Sequence, residues 1–218
     1  MILRANFKPM AKTLAEVVRD LGDIPLSRIR AGPPPGTAPA AALDKPGNKL
    51  CELIDGVLVE KQMGSRESTL GLYIGRLIGN FVEEQDLGVV TGADGLFWVK
   101  DDQLRAPDVT FFPWSSFPDG EPPENVTWWS AAPGLCVEVL SPSNTTGEID
   151  RKLREVFGSG CKLAWVIDPE DQTARVYTSP KRFKLLDKRG VLSGGKVLPG
   201  FKLPLADVFS AGKRRKKK

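Results

Sequence analysis

One acidic residue interrupts an otherwise apolar run in this chain of 218 residues. The run is GLCVEVLS, residues 134–141, and the acid is Glu138. An ionised carboxylate is costly to bury in such a strand unless a cation accompanies it. One interpretation is a structural salt bridge with an arginine or a lysine. The other is a divalent ion, because Mg²⁺ is held in proteins by carboxylate oxygens.

Two further charged residues, Asp108 and Lys152, are candidates for the same cluster. Asp108 follows a proline at the start of the apolar run DVTFF, although an aspartate is also common at such a turn. Lys152 lies in a helical segment directly after the strand of Glu138. A solvated helix lysine would explain it, but the helix dipole does not favour a lysine in the first turns. Its ammonium could instead reach back to the strand end. Glu148 and Asp150, in the first turn of that helix, are explained by the same dipole.

Together, Asp108, Glu138 and Lys152 would suit metal-assisted hydrolysis of a phosphodiester. Carboxylates hold Mg²⁺, which binds the phosphate and lowers the pKa of a bound water. A nearby cation orients the attacking water or stabilises the developing charge. This chemistry needs no histidine, and the chain has none. The same absence excludes Ser-His-Asp catalysis, Cys-His catalysis and zinc sites with histidine ligands.

Two other patterns are better explained without chemistry. GVLSGGKV, residues 190–197, has the spacing of a phosphate-binding P-loop, but Val197 stands where a serine or threonine would ligate magnesium. The residues that follow cannot form the required helix, so we expect a hairpin turn. Cys51, Cys136 and Cys161 form no CxxC pair, which argues against a disulfide framework or a zinc site. The first two lie in apolar runs and are expected to be buried.

The charge of the chain is concentrated at its C-terminal end. The net charge is +4, and the last six residues, KRRKKK at 213–218, are all positive. A solvated tail and a non-specific contact with phosphate backbones are both compatible with this run. No stretch approaches the ~20 apolar residues of a membrane span, and the N-terminus lacks the apolar core of a secretory signal. We therefore expect a cytoplasmic protein without membrane contact.

The periodicity of apolar residues predicts a mixed α/β domain. Helices are expected at 12–22, 67–85 and 147–160, a hairpin at 49–62, and strands near 88–99, 106–114, 134–141, 163–169 and 174–179. Residues 198–209 are expected to close the domain. A segment rich in Pro, Ala and Gly at 31–47 resembles a linker. We therefore predict an N-terminal extension at 1–44, a main domain at 45–209 and a basic tail at 210–218.

Seven segments, taken in order, resemble the Uma-type restriction endonuclease family of the PD-(D/E)XK nuclease superfamily. They are KLCELIDGVLVEK, MGSRES, RAPDVTFF, GLCVEVLSPSNT, DRKL, LAWVIDP and VLSGGKVLPGFKLPLADVF. The resemblance runs from about Lys45 to Phe209. It implies a restriction-endonuclease-like core, in which helices flank a central mixed sheet, and a Mg²⁺-dependent DNA endonuclease.

The resemblance also implies roles for individual residues. Asp108 and Glu138 would hold Mg²⁺, or Mn²⁺ in its place, with help from the backbone carbonyl of Val139. The usual lysine of the superfamily would fall two residues after the second acid, where Leu140 stands here. Lys152, displaced to the next helix, would take its place and position the hydrolytic water.

Two more acids match family positions. Glu52, in the hairpin, would be an auxiliary catalytic residue. Glu67 stands where many members carry a histidine, and it is either a further metal ligand or a simple helix-start acid. DNA is the implied partner, and a homodimer is suggested by analogy alone. The alternative is a catalytically silent protein on the same scaffold that binds DNA or a protein partner.

Overall fold

The computed structural model describes residues 12–62 and 64–214. Residues 1–11 of the predicted extension and 215–218 of the predicted tail lie outside the described residues. The helices are α1 (Leu14–Asp20), α2 (Ser65–Glu84), α3 (Thr146–Gly158) and α4 (Leu205–Ser210). The strands are β1 (Cys51–Ile54), β2 (Val57–Glu60), β3 (Gly88–Thr91), β4 (Phe97–Lys100), β5 (Gln103–Arg105), β6 (Val109–Pro113), β7 (Leu135–Val139), β8 (Leu163–Asp168), β9 (Thr173–Ser179), β10 (Arg182–Leu186), β11 (Val191–Ser193) and β12 (Lys202–Pro204).

A six-stranded mixed sheet forms the centre of the molecule. Its order is β10-β9-β8-β7-β6-β3, with β7 and β8 parallel and the other neighbours antiparallel. A second sheet has the order β2-β1-β5-β4. The predicted mixed α/β fold is thereby confirmed.

Helices α2 and α3 cover opposite faces of the central sheet. Ile74 and Ile78 of α2 pack in one buried cluster with Val137 of β7. Ile149 and Leu153 of α3 pack in another cluster, which contains Cys136 of the same strand and residues of β8. Because side chains alternate along a strand, this arrangement turns Glu138 toward α3, the helix of Lys152.

The segment before the hairpin packs on it. Helix α1 buries Val17, and Leu21 follows it into a cluster with Ile54 and Val57 of the β1–β2 hairpin. A 3-10 helix, Ala40–Asp44, lies within the stretch that resembles a linker and buries part of its surface against β1. The boundary near residue 45 stays a prediction.

The two patterns interpreted without chemistry behave as expected. Strands β11 and β12 pair antiparallel. Residues 190–197, which have the spacing of a P-loop, therefore belong to a hairpin and do not lead into a helix. The three cysteines are free and buried. Within the described part of the chain, no helix is long and apolar enough to cross a membrane.

Candidate active site

Lys152 is the centre of a buried ionic cluster. Helix α3 begins after Thr145, whose side chain accepts the N–H of Glu148, and the next turn directs Lys152 back at β7. The Lys152 ammonium lies 2.5 Å from Glu138 Oε1 and 2.9 Å from Glu52 Oε1. Only 8% of its side chain is exposed. Lys152 is therefore not a solvated helix lysine, and the structure brings it together with both predicted acids.

Burial and charge act differently on these three groups. Burial alone would lower the pKa of Lys152, but Glu138 and Glu52 outweigh it and raise the pKa above its usual range. Burial would raise the pKa of Glu52, but Lys152 and Arg105 hold it well below the usual range. For Glu138 burial prevails and raises the pKa to about 7. Lys152 and Glu52 are therefore charged at neutral pH, whereas Glu138 is poised to titrate.

Asp108 lies beside this cluster, at the start of β6. In the antiparallel pairing of β6 with β7, Val109 is opposite Val137, so the register brings Asp108 to the level of Glu138. Asp108 Oδ2 accepts the backbone N–H of Val139 at 2.7 Å. The negative charge of Asp108 contributes to the raised pKa of Glu138. The two acids are therefore electrostatic neighbours at one end of the sheet.

The carboxylates of Asp108 and Glu138 border different spaces. Asp108 lines a cavity of about 400 Å³ next to α2, together with Val139 and Glu67. Glu138 and Lys152 line a space of only about 10 Å³ next to α3. The role of these two acids as ligands of one metal ion stays a prediction.

Glu67 occupies the first turn of α2, between two cavities. It borders the cavity of Asp108 and a second one, of about 490 Å³, at the carboxyl ends of β7 and β8. Its carboxylate folds over Gly64, where an added Cβ would lie 1.9 Å from Glu67 Oε2. The absence of a side chain at Gly64 therefore permits this position of the Glu67 carboxylate. Both interpretations of Glu67, metal ligand and helix-start acid, remain open.

Two cations of the site were not predicted from the sequence. Arg105 is 1% exposed, and its guanidinium contacts Glu52 at 2.8 Å and Glu155 at 2.5 Å. Lys61 contacts Asp108 Oδ1 at 3.4 Å. The signal for Arg105 was the acid Glu52 within the apolar strand CELI, which requires a cation just as Glu138 does. The sequence does not identify that cation, since the two partners stand 53 residues apart.

The site offers carboxylate oxygens, the type of ligand that a hard ion such as Mg²⁺ prefers. In the described residues, no group of three or more His, Cys, Asp or Glu side chains is arranged to hold a metal ion. Mg²⁺ keeps several waters and is usually bound by one or two carboxylates and substrate phosphates. Glu138 Oε1 is buried and, despite the nearby ammonium, accepts no hydrogen bond of good geometry. This oxygen already lies against the Lys152 ammonium, so a metal ion would have to share the Glu138 carboxylate with Lys152.

Comparison with known proteins supports this description of the fold. The family model "Uma2: Putative restriction endonuclease" matches residues 41–206. A crystal structure of a putative nuclease belonging to DUF820, from Anabaena variabilis ATCC 29413, is similar with a TM-score of 0.68 and 23% sequence identity. The similarity covers 78% of this chain and 95% of that one, and at this identity it concerns the fold. No curated protein matches the chain.

Proposed function

Because this chain belongs to the Uma2 family of putative restriction endonucleases, we propose that it is a Mg²⁺-dependent endonuclease that hydrolyses the phosphodiester bonds of DNA. The observation that carries the proposal is the placement of the buried Lys152 between two carboxylates, those of Glu138 and Glu52. A buried ammonium that reaches from α3 to Glu138 of β7, with Asp108 directly before the neighbouring strand β6, matches the needs of phosphodiester hydrolysis.

Each residue of the site has a distinct task. Asp108 and Glu138, with the carbonyl of Val139, would hold Mg²⁺, and Glu67 is a further candidate ligand across the cavity. When bound, the ion would supply Lewis-acid stabilisation of the phosphate and a water of lowered pKa.

Lys152 orients the attacking water and stabilises negative charge on the phosphate. An ammonium has three N–H donors. Glu138 and Glu52 can take two of them, which leaves one for a water molecule. Glu52 is a positioning residue, because it contacts Lys152 and Arg105 and holds the ammonium in place.

Cleavage of supercoiled plasmid DNA tests the proposal. With Mg²⁺ present, the protein is expected to nick and linearise the plasmid, and chelation of the metal is expected to abolish the reaction. Asp108→Ala should reduce the rate at least about 100-fold, the scale on which the loss of one preorganised catalytic group is felt.

The matched control is Asp101→Ala, which removes an exposed aspartate from the turn between β4 and β5. This variant should cleave at the rate of the wild type. Equal cleavage by the Asp108→Ala and wild-type proteins would exclude Asp108 from the reaction.

One observation favours a second candidate, a nuclease-fold protein that binds DNA without turnover. The space beside Glu138 and Lys152 is about 10 Å³, roughly the volume needed for one water molecule. An ion and a phosphate would have to enter from the side of Asp108. Salt-sensitive DNA binding without metal-dependent cleavage would support this candidate.

A further inference from the structure

Lys61 is a buried cation that no step of the proposed reaction uses. It follows β2 directly, and 10% of its side chain is exposed. Its ammonium donates to the carbonyl of Ala106 at 2.5 Å and to that of Ala93 at 2.8 Å, and it lies 3.4 Å from Asp108 Oδ1. These three acceptors account for the three N–H donors of an ammonium group.

The shorter contacts of Lys61 are those to the backbone. The two carbonyls lie closer to its ammonium than the Asp108 carboxylate does. Since backbone groups hold it, this positive charge stays in place even when Asp108 takes another partner. Lys61 thus differs from a surface lysine, which can swing away from a carboxylate when a metal ion arrives.

The same contacts fix the segment that precedes Asp108. The N–H of Ala106 donates to Glu52 Oε1 at 2.9 Å, and the carbonyl of Ala106 accepts from Lys61. Two residues later, Asp108 Oδ2 is held by the N–H of Val139. If the charge of Lys61 is removed, Asp108 therefore keeps its contact with Val139, and the segment before it keeps the contact with Glu52.

The two candidate carboxylate ligands at the ends of β6 and β7 each have a fixed ammonium beside them. Asp108 faces Lys61, and Glu138 faces Lys152. When Glu138 is ionised, the carboxylates of Asp108, Glu138 and Glu52 balance the positive charges of Lys61, Lys152 and Arg105, so these side chains alone offer little net attraction to a divalent cation. A phosphodiester brought by DNA adds the missing negative charge.

We propose that Lys61 is a positioning residue for Asp108 whose fixed charge weakens metal binding by the free protein and couples it to the binding of DNA. This inference rests on the proposed function, since it takes Asp108 as a metal ligand. A purely structural lysine would not have this effect, because its loss would leave metal affinity unchanged or lower it.

Calorimetric titration of the DNA-free protein with Mn²⁺ tests the inference. Lys61→Gln, which keeps an N–H donor for Ala106 but removes the charge, should bind Mn²⁺ about tenfold more tightly than the wild type, or by about 1.4 kcal/mol. Lys61→Arg, which keeps the charge, should bind like the wild type. Lys184→Gln removes the same charge from an exposed position on β10, three strands from β7, and should also leave the affinity unchanged.

Asp108→Asn separates a failure of this inference from a failure of the proposed function. If Asp108→Asn binds Mn²⁺ as the wild type does, Asp108 is not a ligand and the proposed site is wrong. If Asp108→Asn loses Mn²⁺ but folded Lys61→Gln binds no more tightly than the wild type, only the role of Lys61 is wrong.

A second measurement needs no variant and does not depend on the folding of Lys61→Gln. The wild type should bind Mn²⁺ more tightly with a short DNA duplex than without it, in titrations brief enough for the duplex to remain intact on a gel. Equal affinity in the two titrations would overturn the coupling.

Discussion

Glu52 and Glu138 both lie in apolar strands and both contact Lys152, yet their pKa values move in opposite directions. The difference comes from their other neighbours. Glu52 also accepts from the Arg105 guanidinium and from the N–H of Ala106, which stabilise its charged form. Glu138 has no such hydrogen bonds among the described residues, so burial dominates. Glu52 therefore stays ionised as a structural partner of its cations, whereas Glu138 is available to bind a cation.

The raised pKa of Glu138, about 7, predicts the pH dependence of the site. Metal ligation requires the carboxylate form. Mn²⁺ affinity and plasmid cleavage should therefore rise as the pH increases through about 7. Because the bound cation favours the carboxylate, the midpoint should move to lower pH as the metal concentration is increased. Calorimetric titrations between about pH 5.5 and 8.5 would measure both effects.

The same shift has a consequence for the stability of the metal-free protein. The pKa of Glu138 is higher in the fold than the usual glutamate value of 4.5, so between these two values the folded protein binds a proton that the unfolded chain has released. Its contribution to stability is complete below the unfolded pKa and is lost as the pH rises through about 7. Glu138→Gln should remove this part of the pH dependence from urea unfolding curves. A Mn²⁺ affinity independent of pH, with unchanged unfolding curves in the variant, would refute the assignment.

Glu138 was predicted because its charge stands in an apolar strand. Glu52 also stands in an apolar strand, but the family resemblance was what identified it. Lys61 and Arg105 were not predicted. A lysine or arginine at the end of a strand resembles the many solvated lysines and arginines of a basic chain. Only their contacts in the fold, to Asp108 and Glu52, distinguish them.

At the scale of elements, α3 is held in place by the segment that precedes the hairpin. Arg28 and Glu148 form a buried pair, with two hydrogen bonds of 2.9 and 2.6 Å. Thr145 donates to the carbonyl of Gly22, and Arg151 to that of Asp20. Because α3 carries Lys152, this segment contributes to the position of the Lys152 ammonium.

Replacement of Arg28 should therefore destabilise the protein strongly. Arg28→Met leaves Glu148 buried without its cation, and the loss of one partner of a buried pair costs about 3–5 kcal/mol. The free energy of unfolding in urea, measured at neutral pH, would show this loss.

Arg30→Met is the matched control. Arg30 pairs with Glu60 at 3.0 Å, but 41% of its side chain is exposed, so its replacement should cost less than about 1 kcal/mol. Equal unfolding free energies for the two variants would show that the Arg28–Glu148 pair does not hold α3.

Apolar spacing predicted the long elements and failed for the short ones. Helix α2 presents a regular apolar face, β7 is apolar and buried except at Glu138, and β8 is apolar and buried up to its last residue, Asp168. Strand β10 was not predicted, since it is an exposed edge strand whose residues read as a polar loop. The 3-10 helix at Ala40–Asp44 was hidden by a composition typical of linkers.

At the scale of the molecule, the candidate site joins two sheets. Glu52 comes from β1 of the four-stranded sheet, Glu138 from β7 of the six-stranded sheet, and Lys152 from the helix between β7 and β8. No local pattern can bring together residues so distant in sequence. The ordered set of family motifs provided that information, and the buried contacts of Lys152 agree with it. A cytoplasmic location, a homodimer and a DNA contact by the basic tail stay predictions.

The proposed function requires that Asp108 and Glu138 share one divalent ion beside Lys152. A crystal of the protein soaked in Mn²⁺ tests it directly through the anomalous signal of the metal. We expect one strong peak about 2 Å from an oxygen of each carboxylate. A well-ordered crystal with no Mn²⁺ between residues 108 and 138, or with the ion held by other side chains, would contradict the account.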